Sequence, residues 1–226
     1  MPRAHRRQDP ERTRAVILEA ACTLLAKDGP EGLSVSQVAQ LAKVNRGTAY
    51  QHFQTREQLL EATSAWVSEK LRQAVFGDVA PSSMAVTVGD AHGVALRMAE
   101  FAMENPTLGR VWLFELLSSG QPASDPFWNQ FKGSLEKFAQ SEQAQPGIDV
   151  DVHTVMVLIG TLLWPIFVRA GSRNAKDRQR LAERFTNEML RLSLQGTMRL
   201  DKFPALEARL RAERLRKPSR AELVKP

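Results

Sequence analysis

The segment NRGTAYQHF, residues 45–53, places Arg46, Gly47, Tyr50 and Gln51 on one outward side at helical spacing. Ala49 and Phe53, four residues apart, fall on the inward side with Val44. A plain structural helix favours Ala, Glu and Lys on its exposed face, and this mixture is different. It suits contact with nucleic acid. A guanidinium at Arg46 can bond guanine O6 and N7 as a pair. Such a face also suits phosphate oxygens, which position a protein without reading sequence.

Such a helix needs neighbours that hold it, and the flanking sequence supplies their start and stop signals. Ser34-Val-Ser-Gln37 fits a capping box and opens a helix carrying Val35, Val38, Ala39 and Ala42. That helix must stop near Lys43-Val44, because Asn45 is a second N-cap candidate. Thr55-Arg-Glu-Gln58 is another capping box; it opens a longer helix with Leu59, Thr63, Trp66, Val67, Leu71 and Ala74 on one side. Upstream, Asp9-Pro10 reads as a cap plus a first-turn proline. Ile17, Ala20, Ala21, Leu24 and Leu25 make the buried stripe, and Gly29-Pro30 ends that helix. The order is long helix, short helix, turn, short helix, long helix. Two short helices about a tight turn, over residues 34–53, form a helix-turn-helix whose second helix enters the major groove.

The stretch LSVSQVAQLAKVNRGTAYQHFQTREQLL, residues 33–60, resembles the helix-turn-helix of the tetracycline-repressor (TetR) family. The resemblance rests on VAQLA in the first helix, on Thr48, Tyr50, His52 and Phe53, and on Glu57, Leu59 and Leu60; it extends over residues 10–76. It implies a homodimer on a palindromic double-stranded operator. It also implies C-terminal helices that take a small effector and lower DNA affinity when they do. Carried over by position, the phosphate contacts fall on Thr48, Tyr50 and His52, with Ser34 and Ser36 at the first helix and Arg56 at the start of the following one. Base readout falls on Asn45, Arg46, Gly47 and Gln51. Lys43 departs from the family, which usually has glycine there. A positive φ would cost a lysine about 1 kcal/mol more than glycine, and a phosphate contact is one reason to keep it. Blander roles stand beside these: capping alone for Asn45, a packed core ring for Tyr50, a helix-end charge for His52 and a surface position for Arg56. Arg3, Arg6 and Arg7 read either as a solvated tail or as a minor-groove arm.

The whole chain fits this reading. Its 226 residues are 43% hydrophobic and 25% charged, which suits one or two packed domains rather than a disordered chain. Residues 1–76 carry 11 basic and 8 acidic residues, 77–198 carry 11 and 13, and 199–226 carry 9 and 4. Both ends are therefore basic, as a polyanion partner would favour. Cys22 is the one cysteine, so disulfide scaffolds and cysteine-rich zinc sites are excluded. Asp149, Asp151 and His153 have ligand-like spacing, but they open a helix, where acids favour the dipole; no metal or cofactor is expected. Enzyme signatures such as G-x-S-x-G, H-E-x-x-H and the P-loop are missing. The basic start lacks a following apolar run, which reads against a secretory leader and for a cytoplasmic location. Residues 152–168 lack Asp, Glu, Lys and Arg, yet the run is short and contains His153 and Pro165, so it reads as a buried helix rather than a membrane span.

Strand signals are almost absent, and the expected fold is all-α. The boundaries read as a DNA-binding domain over 10–76, a regulatory and dimerisation domain over 77–198, and a basic tail over 199–226. Helices are expected over 90–104, 106–118, 125–144, 150–170 and 175–195. The 150–170 helix is too apolar to face water, and the next carries the stripe Leu181, Phe185, Met189 and Leu192; two such helices per subunit would form a four-helix bundle. Aromatic residues concentrate between 90 and 170. An apolar effector site there would draw on Trp112, Trp128 and Trp164, with His92, Glu115 and His153 as polar anchors. The expected function is a repressor released by a small apolar or amphipathic molecule. The alternative is a helical ligand-binding or protein-interaction protein with a degenerate DNA face, for which Lys43 is the only support.

Overall fold

The structure is a computed structural model describing residues 9–77, 88–119, 122–168, 172, 174–196, 198–206, 208–209 and 212. Its α-helices are α1 (Pro10–Asp28), α2 (Val35–Leu41), α3 (Arg46–His52), α4 (Arg56–Phe76), α5 (Val88–Glu104), α6 (Pro106–Ser119), α7 (Pro126–Ala139), α8 (Val150–Val168) and α9 (Ala175–Gly196). Short 3-10 turns join some of them, and among the described residues the only β pairing is one bridge between Ala144 and Met198. The all-α expectation holds. Arg3, Arg6 and Arg7, most of the 77–89 linker and most of the basic tail lie outside the described residues.

The caps form as the sequence dictates. Asp9 accepts from the Glu11 amide at 3.1 Å, and Pro10 begins α1. Gly29, at φ 71°, ends it, donating its amide to Leu25 O at 3.1 Å. Thr55 accepts from the Gln58 amide, and Gln58 Oε1 accepts in return from the Gln54 amide.

Packing divides the chain into two units, and the division does not follow a linear cut at residue 76. The first unit holds α1–α4 together with residues 104–129, that is α6 and the start of α7. Ile17, Leu18 and Ala21 of α1 and Leu59, Val67, Leu71 and Val75 of α4 are fully buried in it. The start of α7 is tied in by hydrogen bonds. Ser68 Oγ, buried on α4, accepts from the Phe127 amide at 3.2 Å. Asp125 accepts from both the Trp128 amide and Trp112 Nε1. The Trp112 and Phe127 rings meet edge-on at 5.6 Å.

The second unit holds α5, most of α7, α8 and α9. On α9 the buried row is Ala182, Thr186, Leu190 and Leu194, spaced by four. The larger residues Leu181, Phe185 and Met189 flank it half-buried, and Leu192 is exposed. Leu181 and Phe185 pack with Trp164, whose Nε1 donates to Leu181 O at 3.0 Å. Helix α8 continues through Pro165 to Val168. Within one chain it is buried on one side only. Thr154, Leu158, Thr161, Leu162 and Pro165 are buried, but Val152, Val155, Met156, Leu163, Ile166 and Phe167 are exposed, Phe167 at 78%. The reason is geometric: its own unit covers one side of a helix that is apolar all round.

Candidate nucleic-acid interface

Ser34 caps α2, accepting from the Gln37 amide at 3.2 Å and donating to Gln37 Oε1 at 2.9 Å. At the other end of α2 the chain reverses through Lys43, at φ 55°. The Val44 amide donates to Ala39 O and the Lys43 amide to Gln40 O. This is the Schellman pattern, with a lysine in the left-handed position that glycine occupies at least cost. Asn45 then caps α3, its Oδ1 accepting from the Gly47 amide at 2.7 Å. Capping the free amides at both helix starts and tying off the carbonyls between them fixes the angle at which α3 leaves α2.

Ala49 is fully buried and Phe53 nearly so, against a first-unit core that includes Val38 and Ala39. With those residues inward, Asn45, Arg46, Gly47 and Gln51 are exposed, and Tyr50 is 45% exposed, which rules out a packed core ring. The Tyr50 hydroxyl sits 3.5 Å from that of Ser36, linking the outward face of α3 to α2. Thr48, His52, Ser34 and Ser36 are half-buried at the edge of this face, and Lys43 is exposed on the turn. From Gly32 to Arg56 the chain has no Asp or Glu, so no carboxylate of its own opposes a phosphate along this stretch.

Two arginines have contacts that the sequence did not indicate. Arg56 Nη2 and Nε donate to Pro30 O at 2.6 and 3.2 Å, and Nη2 lies 3.5 Å from Glu31 Oε2. It therefore closes the loop between α1 and α2, whatever it also touches outside. Arg14 of α1 stacks its guanidinium over the Phe53 ring, 5.2 Å from the centroid. Its partner is far along the chain, and no local pattern would have revealed it.

Residues 17–63 match the family described as bacterial regulatory proteins, tetR family. The match runs from α1 through the helix-turn-helix into α4. It is 35% identical over 101 residues to the HTH-type transcriptional repressor Rv3405c of Mycobacterium tuberculosis, covering 43% of this chain and 53% of that protein. It thus spans about half the length of the curated relatives it matches. Solved structures resemble it over more of its length. A gamma-butyrolactone receptor (ArpA-like protein) matches 90% of this chain and 98% of its own, at 24% identity and a TM-score of 0.58. SmeT, in a triclosan complex, matches 83% and 92%, at 19% identity and 0.59. NalD of Pseudomonas aeruginosa matches 84% and 99%, at 23% identity and 0.54. At those identities the likeness is one of fold. These relatives are described as regulators or receptors, not enzymes.

The residues considered for an effector site divide between the units. Trp112, Glu115 and Trp128 belong to the first and His92, His153 and Trp164 to the second. Trp112 and Trp128 are buried, both bonded to Asp125, and Glu115 accepts from Ser64 Oγ at 3.1 Å. These contacts tie α4, α6 and α7 together. In the second unit the Trp164 and Phe185 ring centroids are 5.7 Å apart, and the Arg184 guanidinium lies over the Trp164 ring, 5.5 Å from its centroid. His153 is half-buried, and burial pushes its imidazole below the ordinary value. Asp151 pairs with Lys132 of α7 at 2.7 Å, holding that ammonium above its usual range. No cluster of three or more metal-ligating side chains occurs among the described residues.

Proposed function

We propose that the protein is a homodimeric, sequence-specific DNA-binding transcriptional repressor released by a small apolar or amphipathic effector. The observation that carries the DNA-binding reading is α3 itself. Its inner residues Ala49 and Phe53 are sealed, while Arg46, Gly47, Tyr50 and Gln51 are left open on a stretch free of carboxylates. A hydrogen-bonding face that contributes nothing to the core is suited to phosphates and base edges. Arg46 and Gln51 read bases; Tyr50, His52, Thr48 and Lys43 hold the backbone. The repressor sense follows the description of Rv3405c.

The exposed row on α8, with Leu192 of α9, supports the dimer. Such a row is expensive to leave in water, since fully burying one large apolar side chain is worth about 1.5–3 kcal/mol. A second copy related by a two-fold axis would cover α8 and α9 of each protomer with those of the other. The same α8 is long and apolar enough to cross a membrane by length and composition. Its buried Thr154 and Thr161 and its packing on α9 favour a protein partner instead. The gamma-butyrolactone receptor and the triclosan complex support a small apolar effector. In the second unit Trp164 supplies an aromatic wall for it, and His92 and His153 supply polar groups.

The test is a duplex titration with the wild-type chain and Arg46→Ala, at two salt concentrations. A salt-dependent, sequence-selective complex that loses selectivity in the variant supports the reading. A protein that binds no duplex at either salt concentration refutes it.

A further inference from the structure

Arg14 continues the inward stripe of α1. It lies three and four residues before Ile17 and Leu18, both fully buried, and so on the same face. An apolar residue would suit that place. Instead a half-buried guanidinium lies over the Phe53 ring, 5.2 Å from its centroid, and that ring is 3% exposed. Among the described residues Arg14 has no hydrogen bond or ion pair, so the ring is what holds its charge. Phe53 ends α3, donating its amide to Ala49 O at 2.9 Å. The His52 ring lies 6.2 Å from the same phenyl ring. Helix α3 has seven residues, too few to hold a direction alone. Its start is fixed by the Asn45 cap and the Lys43 turn, and its end rests on Ala49 and Phe53.

We infer that Arg14 is a positioning residue for base readout: through Phe53 it sets the angle at which the C-terminal end of α3 meets the duplex. The inference rests on the DNA-binding reading above. A planar cation is drawn to the face of an aromatic ring, so the stack favours one ring orientation where an apolar neighbour would accept several. Phe53 directly follows His52 and stands two residues after Gln51, so a ring that turns carries that end of the outward face with it. Hydrogen bonds to base edges weaken steeply with misalignment, whereas attraction to phosphates tolerates a shifted helix. Loss of the stack therefore weakens operator binding and spares random DNA. The effect is bounded by one part-exposed cation–π contact, about threefold to tenfold in affinity.

The experiment titrates the wild type, Arg14→Met, Phe53→Leu and the double variant against operator and scrambled duplex at two salt concentrations. The operator is the duplex that the wild type enriches from a random pool. Methionine keeps an unbranched stem without the charge, and leucine keeps apolar volume without the ring. Active protein is counted by stoichiometric titration below each thermal midpoint, so partial unfolding does not pass for weak binding. Arg14→Met should bind operator about threefold to tenfold more weakly, bind scrambled duplex as the wild type does, and keep the wild-type salt slope. With Phe53 already leucine, the same change should have no further effect, because the two residues act as a pair. A purely structural role would lower the active fraction and leave the operator-to-scrambled ratio intact, and that outcome overturns the inference. Equal losses on both duplexes, with a slope flatter by about 0.9, make Arg14 a phosphate contact and also overturn it. So does a loss of selectivity that Arg14→Met still produces in the Phe53→Leu background, since the ring would then not carry the effect. The Arg14→Met titration decides the matter even if Phe53→Leu does not fold. If the wild type enriches no duplex, the DNA-binding reading falls and the positioning role with it; if it enriches one and Arg14→Met keeps its affinity, the positioning role alone falls.

Discussion

The hydroxyl of Tyr50 lies 3.5 Å from that of Ser36, so the outward face of the recognition helix is linked to the helix that braces it. Both side chains remain open enough to meet a phosphate, and neither belongs to the buried core. Tyr50→Phe should therefore weaken operator and scrambled duplex by similar factors. Arg46→Ala should instead cost about 1–3 kcal/mol on the operator and relax preference at one base pair per half-site. Titrating both variants on both duplexes separates the roles. Equal losses for Arg46→Ala on the two duplexes would make Arg46 a phosphate contact.

Lys43 holds φ 55° in the turn between α2 and α3. Glycine takes that conformation without the Cβ clash, though it also loosens the unfolded chain. Lys43→Gly should be neutral or stabilising by up to about 1 kcal/mol in a denaturant melt. If Lys43 also holds a phosphate, the same change should weaken DNA binding and flatten its salt slope by about 0.9. A destabilised Lys43→Gly would mean that the lysine side chain supports the fold.

Arg56 donates twice to Pro30 O and pairs with Glu31. Arg56→Met keeps the apolar stem and removes these bonds. It should lower stability by about 1 kcal/mol, because the guanidinium is partly open to solvent and a charged hydrogen bond there is worth less than a buried one. An unchanged melt with weakened DNA binding would assign Arg56 to the phosphate backbone alone.

Phe167 is the most exposed large apolar residue in the α8 row. Phe167→Glu should leave the protomer folded and yield monomers by sedimentation, with operator affinity lost along with the dimer. Phe185 is a poorer probe, because it packs with Trp164 in the core of the second unit. Monomers already in the wild type at micromolar concentration would contradict the bundle.

His153 contributes a pH dependence of known sign. Burial lowers its folded pKa, so the folded state disfavours the proton that the unfolded state accepts. Its contribution is fully present above the unfolded value of about 6.5 and is lost as pH falls toward the folded value. Melting the wild type and His153→Gln at pH 7.5 and 5.5 should show the larger drop in the wild type. Equal drops would place the imidazole in solvent.

How much of this was legible in the sequence depended on range. Asp9, Ser34, Asn45 and Thr55 cap their helices as read, because a cap is a bond between residues two or three apart. The inward pair Ala49 and Phe53 followed from helical period alone. The cost at Lys43 was legible only as a condition on φ, which the turn then met. The hold of Arg56 on Pro30 and of Arg14 on Phe53 was not legible, since each joins distant segments. Neither was the way α6 joins α1 and α4, nor the grouping of Trp112 and Trp128 around Asp125. For α8 the composition announced burial but not which side its own chain would cover. An all-apolar helix looks the same whether its own chain or a second copy covers the far side.

The central claim is that α3 reads DNA as one half of a symmetric pair. The most direct measurement is selection of bound duplexes from a random pool by the wild type and by Arg46→Ala in parallel, followed by sequencing. The account predicts a consensus with two-fold symmetry for the wild type, and the same consensus with one base pair per half-site relaxed for the variant. No enrichment by the wild type, or an identical consensus from both proteins, would contradict it.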